Sequence, residues 1–317
     1  MTDIGSPARS PLHRSALAAR EFVHRLAPSQ VLLTEVRATG PDEFHVVARW
    51  PRAHTADGHG TFAGHEPLMV AETLRQLGVY LPLRFYGLHA DSRLLIEELR
   101  LTLDPDDAPH DWSAGAEILC TAHLDRIARP GAANSTSSSS PPSAMDAARA
   151  EPPRNFGLRV SLAAHGRDFA RADGMARILS PVAYRAVRNY WRSKPAAAQL
   201  PMTTVDPERV GVRRTEDVLV ALDSGGAVRI APADAHHPFY HDHPSDHVTG
   251  MILVGAVHQA AALQTNEPNL RLRSCSLRAL RFTEPAPAAT VEIGPAGRFD
   301  IRQRDTVTAT GEALFES

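Results

Sequence analysis

Cysteine is almost missing. Cys120 and Cys275 are the two in 317 residues; they fall in separate predicted strands and fit no metal-ligand spacing. A disulfide framework is thereby excluded, and a reduced, cytoplasmic setting is expected. Neither sign of charge dominates: 34 Lys and Arg against 36 Asp and Glu leave a net charge of −2, so no nucleic-acid or membrane partner is expected. No segment approaches the roughly 18–20 apolar residues of a membrane helix. The polar first residues contain no apolar h-region, so no secretion signal is expected. There is no Gly-Xaa-Ser-Xaa-Gly elbow and no glycine-rich phosphate loop, and neither cysteine lies near a candidate base. With 43% hydrophobic and 22% charged residues, one large or two small globular domains remain, with no cofactor called for.

What is present centres on residues 67–81. Pro67 suits the first turn of a helix, where its missing N–H is unbonded anyway. Leu68, Val70, Ala71, Leu74, Leu77, Gly78 and Leu81 follow, too apolar for a one-sided surface helix, so a mostly buried helix is predicted, stopped by Pro82. Glu72, Arg75 and Gln76 share one face of it, three and four residues apart. A carboxylate in such a setting needs a partner or a task. An ion pair with Arg75 and a catalytic role are both consistent with the spacing.

The pattern returns at Asp246–Ala261. Laying Gln259 on Gln76, a shift of 183 residues, puts His258 on Arg75 and Gly255 on Glu72. Pro28-Ser29-Gln30-Val31 resembles Pro207-Glu208-Arg209-Val210, and an apolar segment follows each helix, at 94–101 and 275–282. Two divergent copies of one unit explain matches that keep the same order. A loose tail (1–20), a first unit (21–128), a disordered linker rich in Ser and Pro (129–153) and a second unit (154–317) are expected. Each unit reads as strand, strand, loop, long apolar helix, strands. A helix buried on most sides needs a sheet curled around it. The predicted fold class is α+β, a double hotdog with joined sheets and adjacent helices.

At these residues the chain resembles the A-factor biosynthesis hotdog proteins. The similarity is carried by Glu21-Phe22-Val23-His24-Arg25, Trp50-Pro51-Arg52-Ala53-His54, Pro67–Gln76, Arg84-Phe85-Tyr86-Gly87, Asp246–Met251 and Gln259-Ala260-Ala261. The resemblance implies an acyltransferase. It would take a β-ketoacyl chain from an acyl carrier protein or CoA thioester and join it to dihydroxyacetone phosphate. The ester would then close to a phosphorylated butenolide or furan precursor of a signalling hormone. A hotdog thioesterase or dehydratase, or a non-catalytic acyl-binding regulator, are the rivals. A monomer with an internal pseudo-dimer and a homodimer are both compatible.

Glu72 and Arg75 are the first candidate catalytic pair: a base for the alcohol proton and its neighbour or phosphate holder. Gln76 is a hydrogen-bonding neighbour. Among His237–His247, no zinc spacing fits cleanly. His237-Pro238-Phe239-Tyr240 is similar to the His-Pro-Phe-Phe segment of hotdog dehydratases, and on that analogy His243 is the active-site position, with His247 beside it. Gly250 and Met251 open the second helix, where free N–H groups can hold a thioester oxygen. A composite site is expected from Glu72 and Arg75 of one unit with His243, His247 and Gly250 of the other. The reciprocal site, with Gly255 and His258, is expected to be weak or dead. Candidate phosphate cations are Arg75, Arg84, Arg185, Arg188, Arg192, Arg213 and Arg214.

Overall fold

The computed structural model describes residues 20–51, 66–104, 115–126, 155–192, 201–242 and 245–316. The tail, the Ser-rich linker and His243 therefore lie outside the described residues, apart from Arg20. Strands β1 (Leu33–Ala38) and β2 (Glu43–Trp50) form a hairpin, and helix α1 (Glu66–Phe85) follows. β2 alternates as its sequence dictates, with Phe44, Val46, Ala48 and Trp50 inward. Next come β3 (Arg93–Leu103), β4 (Ala116–Arg126), β5 (Asn155–Ala164) and β6 (Arg167–Leu179). Helix α2 (Pro181–Arg192) leads to β7 (Met202–Thr204), β8 (Val220–Asp223) and β9 (Val228–Ile230). The second long helix, α3 (Gly250–Thr265), precedes β10 (Arg271–Ala279), β11 (Thr290–Ile293), β12 (Arg298–Gln303) and β13 (Thr306–Glu316). No helix among the described residues is long and apolar enough to cross a membrane.

All strands join one sheet in the order β1-β2-β4-β5-β6-β3-β10-β13-β12-β11-β9-β8-β7. Read outward from the antiparallel β3–β10 seam, the two halves match: 3-6-5-4-2-1 on one side, 10-13-12-11-9-8 on the other. α1 packs on β3, β5 and β6, α3 on β8 to β11, and the two helices touch. This is the double hotdog.

Two expectations differ from what is seen. Residues 155–179, assigned to the second unit, instead insert as a hairpin between β4 and β3 and complete the first sheet. Serine- and proline-rich composition marks a surface connection but not which connection, and here it joins two strands of one unit. His165 and Gly166 turn this hairpin with positive φ at both, as a tight two-residue turn requires. Pro82 does not stop α1, which runs on to Phe85. The residue four back, whose carbonyl a proline ring crowds, is Gly78.

The repeat is visible in one hydrogen-bonding device used twice. Gln76 accepts from the Leu32 N–H (2.9 Å) and donates to the Gln30 carbonyl (2.8 Å). Gln259 accepts from the Leu219 N–H (2.7 Å) and donates to the Asp217 carbonyl (2.9 Å). Each buried amide fastens the short helical turn before a strand onto its long helix. The turn equivalent to Pro28–Gln30 is thus Thr215–Asp217, not the Pro207–Val210 segment that matches it in sequence. Replacing Gln259 by Leu strands a buried N–H and a buried carbonyl, so a loss of about 2–4 kcal/mol is expected. Urea denaturation measures it, and a loss below about 1 kcal/mol would show that the device is dispensable.

Candidate active site

The segment that precedes β1 crosses the polar face of α1. There Glu72 accepts from both arginines. Arg25 Nε reaches Oε1 at 3.0 Å and Arg25 Nη2 lies 2.8 Å from Oε2. Arg75 Nη2 reaches Oε1 at 2.8 Å and Arg75 Nε reaches Oε2 at 2.7 Å. Gln76 Nε2 adds a fifth contact at 2.6 Å. Glu72 and Arg25 are 1% exposed in their side chains, Arg75 12%. Burial alone would raise the carboxyl's pKa, but the two guanidiniums and the amide outweigh it and hold Glu72 well below the usual carboxylate range. Arg25 also donates to the Phe239 carbonyl (2.8 Å). Asp242 accepts from the Leu26 and Ala27 N–H groups. The network therefore ties the first unit's entry segment to the second unit's His-rich loop.

A second network holds the next part of that loop. Arg188, on the inner face of α2, donates to Asp246 Oδ2 (3.0 Å), to the Asp246 carbonyl (2.5 Å) and to both oxygens of Glu284. Tyr184 donates to Asp246 Oδ1 at 2.6 Å. His247 Nδ1 lies 3.0 Å from the same oxygen. Burial would raise the Asp246 pKa, yet the bonds from His247, Tyr184 and Arg188 keep it well below its ordinary value. An ionised carboxylate only accepts, so Nδ1 carries the proton and Nε2 keeps the free lone pair. Burial lowers the His247 pKa and Asp246 opposes this only in part, which leaves a neutral ring at neutral pH. Loop, helix and sheet thus hold an oriented imidazole that is ready to accept a proton.

A cavity of about 780 Å³ runs between α1, β3, β6, β10 and the start of α3. Arg75 of the first unit and His247, Gly250 and Met251 of the second line it together. Its apolar wall includes Leu74, Gly78, Leu94, Phe156, Met175 and Leu280, a suitable bed for an acyl chain. Thr249 caps α3 without a side-chain hydrogen bond, and its buried Oγ1 has no partner among the described residues. The first N–H groups of α3 therefore face the cavity uncapped, an arrangement suited to an oxygen that gains charge.

Other described candidates lie elsewhere. Glu72 and Gln76 stand behind the wall. Arg84 is exposed at the end of α1, with its guanidinium over the Phe85 ring at 5.6 Å. His258 lies 2.6 Å from the Leu270 carbonyl through Nε2 and stacks on Phe315. At Gly255 a Cβ would meet Leu219 Cδ1 at 2.5 Å, so the position that matches Glu72 is filled from outside. Of the phosphate candidates, Arg188 is spent on Asp246 and Glu284, and Arg214 on Asp217. Burial pushes both thiols up to about 12. Sequence reasoning assigned no role to Arg25, Asp242, Asp246 or Tyr184. Arg25 and Asp246 do lie inside the stretches that carried the family resemblance, which is the signal that was there.

Fold and site together define a two-unit hotdog protein whose cavity draws an arginine from one unit and an Asp–His pair from the other. The chain belongs to the A-factor biosynthesis hotdog family, whose sequence profile matches residues 8–180 and 193–293. A relative from Streptomyces virginiae, named 2-oxo-3-(phosphooxy)propyl 3-oxoalkanoate synthase, is 28% identical over 256 residues, 79% of this chain and 78% of its own. A relative of the same name from Streptomyces coelicolor is 29% identical over 281 residues, 87% of this chain and 82% of its own. Among solved structures, an acyl-ACP thioesterase from Bacteroides thetaiotaomicron aligns over 86% of this chain and 98% of its own at 7% identity, with a TM-score of 0.43.

The clamp on Glu72 gives a signed pH dependence. Well above the ordinary value of 4.5, Glu72 is ionised whether the chain is folded or not, and the clamp's contribution is complete. As the pH falls through that value, the unfolded chain takes up a proton that the folded one refuses, so this part of the stability drains away. The urea midpoint of the wild type should drop between pH 6 and pH 3, and drop less steeply after Glu72→Gln. Parallel curves would mean that Glu72 ionisation is not linked to folding.

Proposed function

We propose that the cavity transfers a β-ketoacyl group from a thioester to the hydroxyl of dihydroxyacetone phosphate, forming a 2-oxo-3-(phosphooxy)propyl 3-oxoalkanoate ester and a free thiol. The observation on which this rests is the neutral His247, aimed by Asp246, in the same cavity as the open end of α3. His247 Nε2 takes the hydroxyl proton as the alcohol oxygen attacks the thioester carbon. The carbonyl oxygen gains charge and is held by the N–H groups of Gly250 and Met251. When the intermediate collapses, the C–S bond breaks and the proton on His247 passes to the departing sulfur. The base is His247 rather than Glu72, because a carboxylate that already accepts from two guanidiniums has little affinity for a further proton. Arg75 and Glu72 then position rather than react. His243 remains a second candidate on the analogy that named it. Ring closure to a butenolide or furan would be a later step on the ester. The donor is proposed to be an acyl thioester on a carrier protein or CoA, with no cofactor in the chemistry, in the cytoplasm.

The direct test is incubation of the purified chain with a β-ketoacyl thioester, with and without dihydroxyacetone phosphate, followed by mass analysis. An ester mass that needs the phosphate is expected. Free acid at equal rate in both tubes would make the chain a thioesterase and overturn the reading; thioester bound but unchanged would make it a binding protein. His247→Asn should lower kcat/KM by about 10²–10⁴-fold. In the wild type the acid limb of kcat/KM should fall below the ordinary histidine value of 6.5. Asp246→Asn removes the influence that raises the His247 pKa, so that limb should move to still lower pH. A limb that stays fixed in Asp246→Asn would exclude His247 as the titrating base.

A further inference from the structure

His24, Arg75 and Arg93 all line the cavity, and each comes from a different element: the turn after Val23, α1 and β3. Among the described residues, the two arginines keep donors that nothing else uses. Arg75 uses Nε and Nη2 on Glu72 and the Val23 carbonyl, and its Nη1 has no hydrogen-bond partner among the described residues. Arg93 is exposed on the cavity wall, with no carboxylate paired to it among the described residues. The neighbouring arginines differ: Arg25 spends Nε, Nη1 and Nη2 on Glu72 and the Phe239 carbonyl, Arg177 is taken by Glu97, and Arg281 has an interaction of its own. His24 is held at φ 50°, a left-handed conformation uncommon for a side-chain-bearing residue.

Burial, then the charges of Arg75 and Arg93, lower the His24 pKa to about 4, so the ring is neutral beside two cations. The charge of Arg93 also reaches Tyr184, which hydrogen-bonds Asp246. The cationic corner is therefore near the Asp246–His247 pair.

We propose that His24, Arg75 and Arg93 form a subsite for phosphate oxygens, and that its occupant is the phosphate monoester of the acceptor alcohol. This rests on the reading of the cavity as a condensing site. Phosphate could also arrive as the diester in the pantetheine arm of an acyl donor. A monoester dianion presents three terminal oxygens to these donors, whereas a phosphodiester presents two and a single charge. Guanidinium also matches phosphate bidentately. Among the described residues, Arg75 is the one sequence-proposed arginine in this corner, and Arg93 gives no local signal at the start of a strand.

The test uses the full chain and Arg93→Gln. Arg93 is exposed and unpaired, so the variant keeps its fold, which an unchanged Tm verifies. Calorimetric titration with dihydroxyacetone phosphate alone should show binding to the wild type and about tenfold weaker binding to the variant. Unphosphorylated dihydroxyacetone should bind neither. In steady state, KM for dihydroxyacetone phosphate should rise in Arg93→Gln while KM for the acyl thioester stays put. A rise confined to the thioester KM assigns the corner to the donor's phosphate and overturns the monoester assignment. Equal binding by both forms, or none by the wild type, overturns it as well. Failure of the condensing reading is told apart: binding that depends on Arg93 without any ester formed leaves the subsite standing, whereas ester formed by Arg93→Gln at unchanged KM removes the subsite alone.

Discussion

A carboxylate placed between two guanidiniums, out of water, is the constraint on which the rest depends. Taking three charges from solvent is unfavourable by several kcal/mol per ion, and Glu72 offsets this only because all five of its contacts are at hydrogen-bonding distance. Such a group is a poor source of net stability and a strong source of geometry. Any shift of Arg25 or Arg75 would leave a buried charge unpaired, which costs about 3–5 kcal/mol. The entry segment, α1 and the loop at Phe239 are therefore fixed relative to one another. Since Arg25 reaches the Phe239 carbonyl and Asp242 holds the Leu26 and Ala27 N–H groups, the position of the second unit's loop follows from a carboxylate in the first.

The two units share fastening and differ in charge. Gln76 and Gln259 do the same work on the same backbone groups, four hydrogen bonds in all. Around Gln259 the described residues hold no counterpart to the Arg25–Glu72–Arg75 cluster. Gly255 leaves room that Leu219 fills, and the His258 ring turns to the Leu270 carbonyl. In its place, buried Asp217 meets Arg214 and His237. His237 Nδ1 accepts from the Phe239 and Tyr240 N–H groups, so its Nε2 donates to Asp217. This pair serves to pin the turn from which the loop departs. A duplicated frame whose halves carry different charge clusters yields an asymmetric cavity, with Gly255 and His258 at the positions that match Glu72 and Arg75.

What could be read beforehand was local. Glu72, Arg75 and Gln76 stand three and four apart, so helical periodicity alone places them on one face, and the repeat of Gln76 at Gln259 is legible for the same reason. The open end of α3 could be read from Gly250 against the apolar run behind it. The rest was illegible because it is distant in sequence. Arg25 meets Glu72 across 47 residues, and Arg188 meets Asp246 across 58. No periodicity links such pairs. The basic helix 181–191 looked like a source of phosphate ligands, yet its Arg188 turns inward to hold an aspartate. Composition misplaced the unit boundary, since a polar linker looks the same within a unit as between units.

The contrast between the two carboxylates is what supports the proposed placement of the chemistry at His247. Both are held well below their ordinary pKa, but by different company. Glu72 spends every lone pair on cations and an amide, and so has no oxygen left for a substrate. Asp246 shares its oxygens among Arg188, Tyr184 and His247, and through the last of these its charge reaches the cavity. In the proposed reaction a fixed anion behind the imidazole would favour the imidazolium formed on His247, while burial keeps the resting ring neutral. The arginine on the far side of Asp246 opposes that influence. On the proposed reading, one buried carboxylate sets distances and the other sets basicity, and the cavity needs both in order to bring an alcohol and an activated acyl group together.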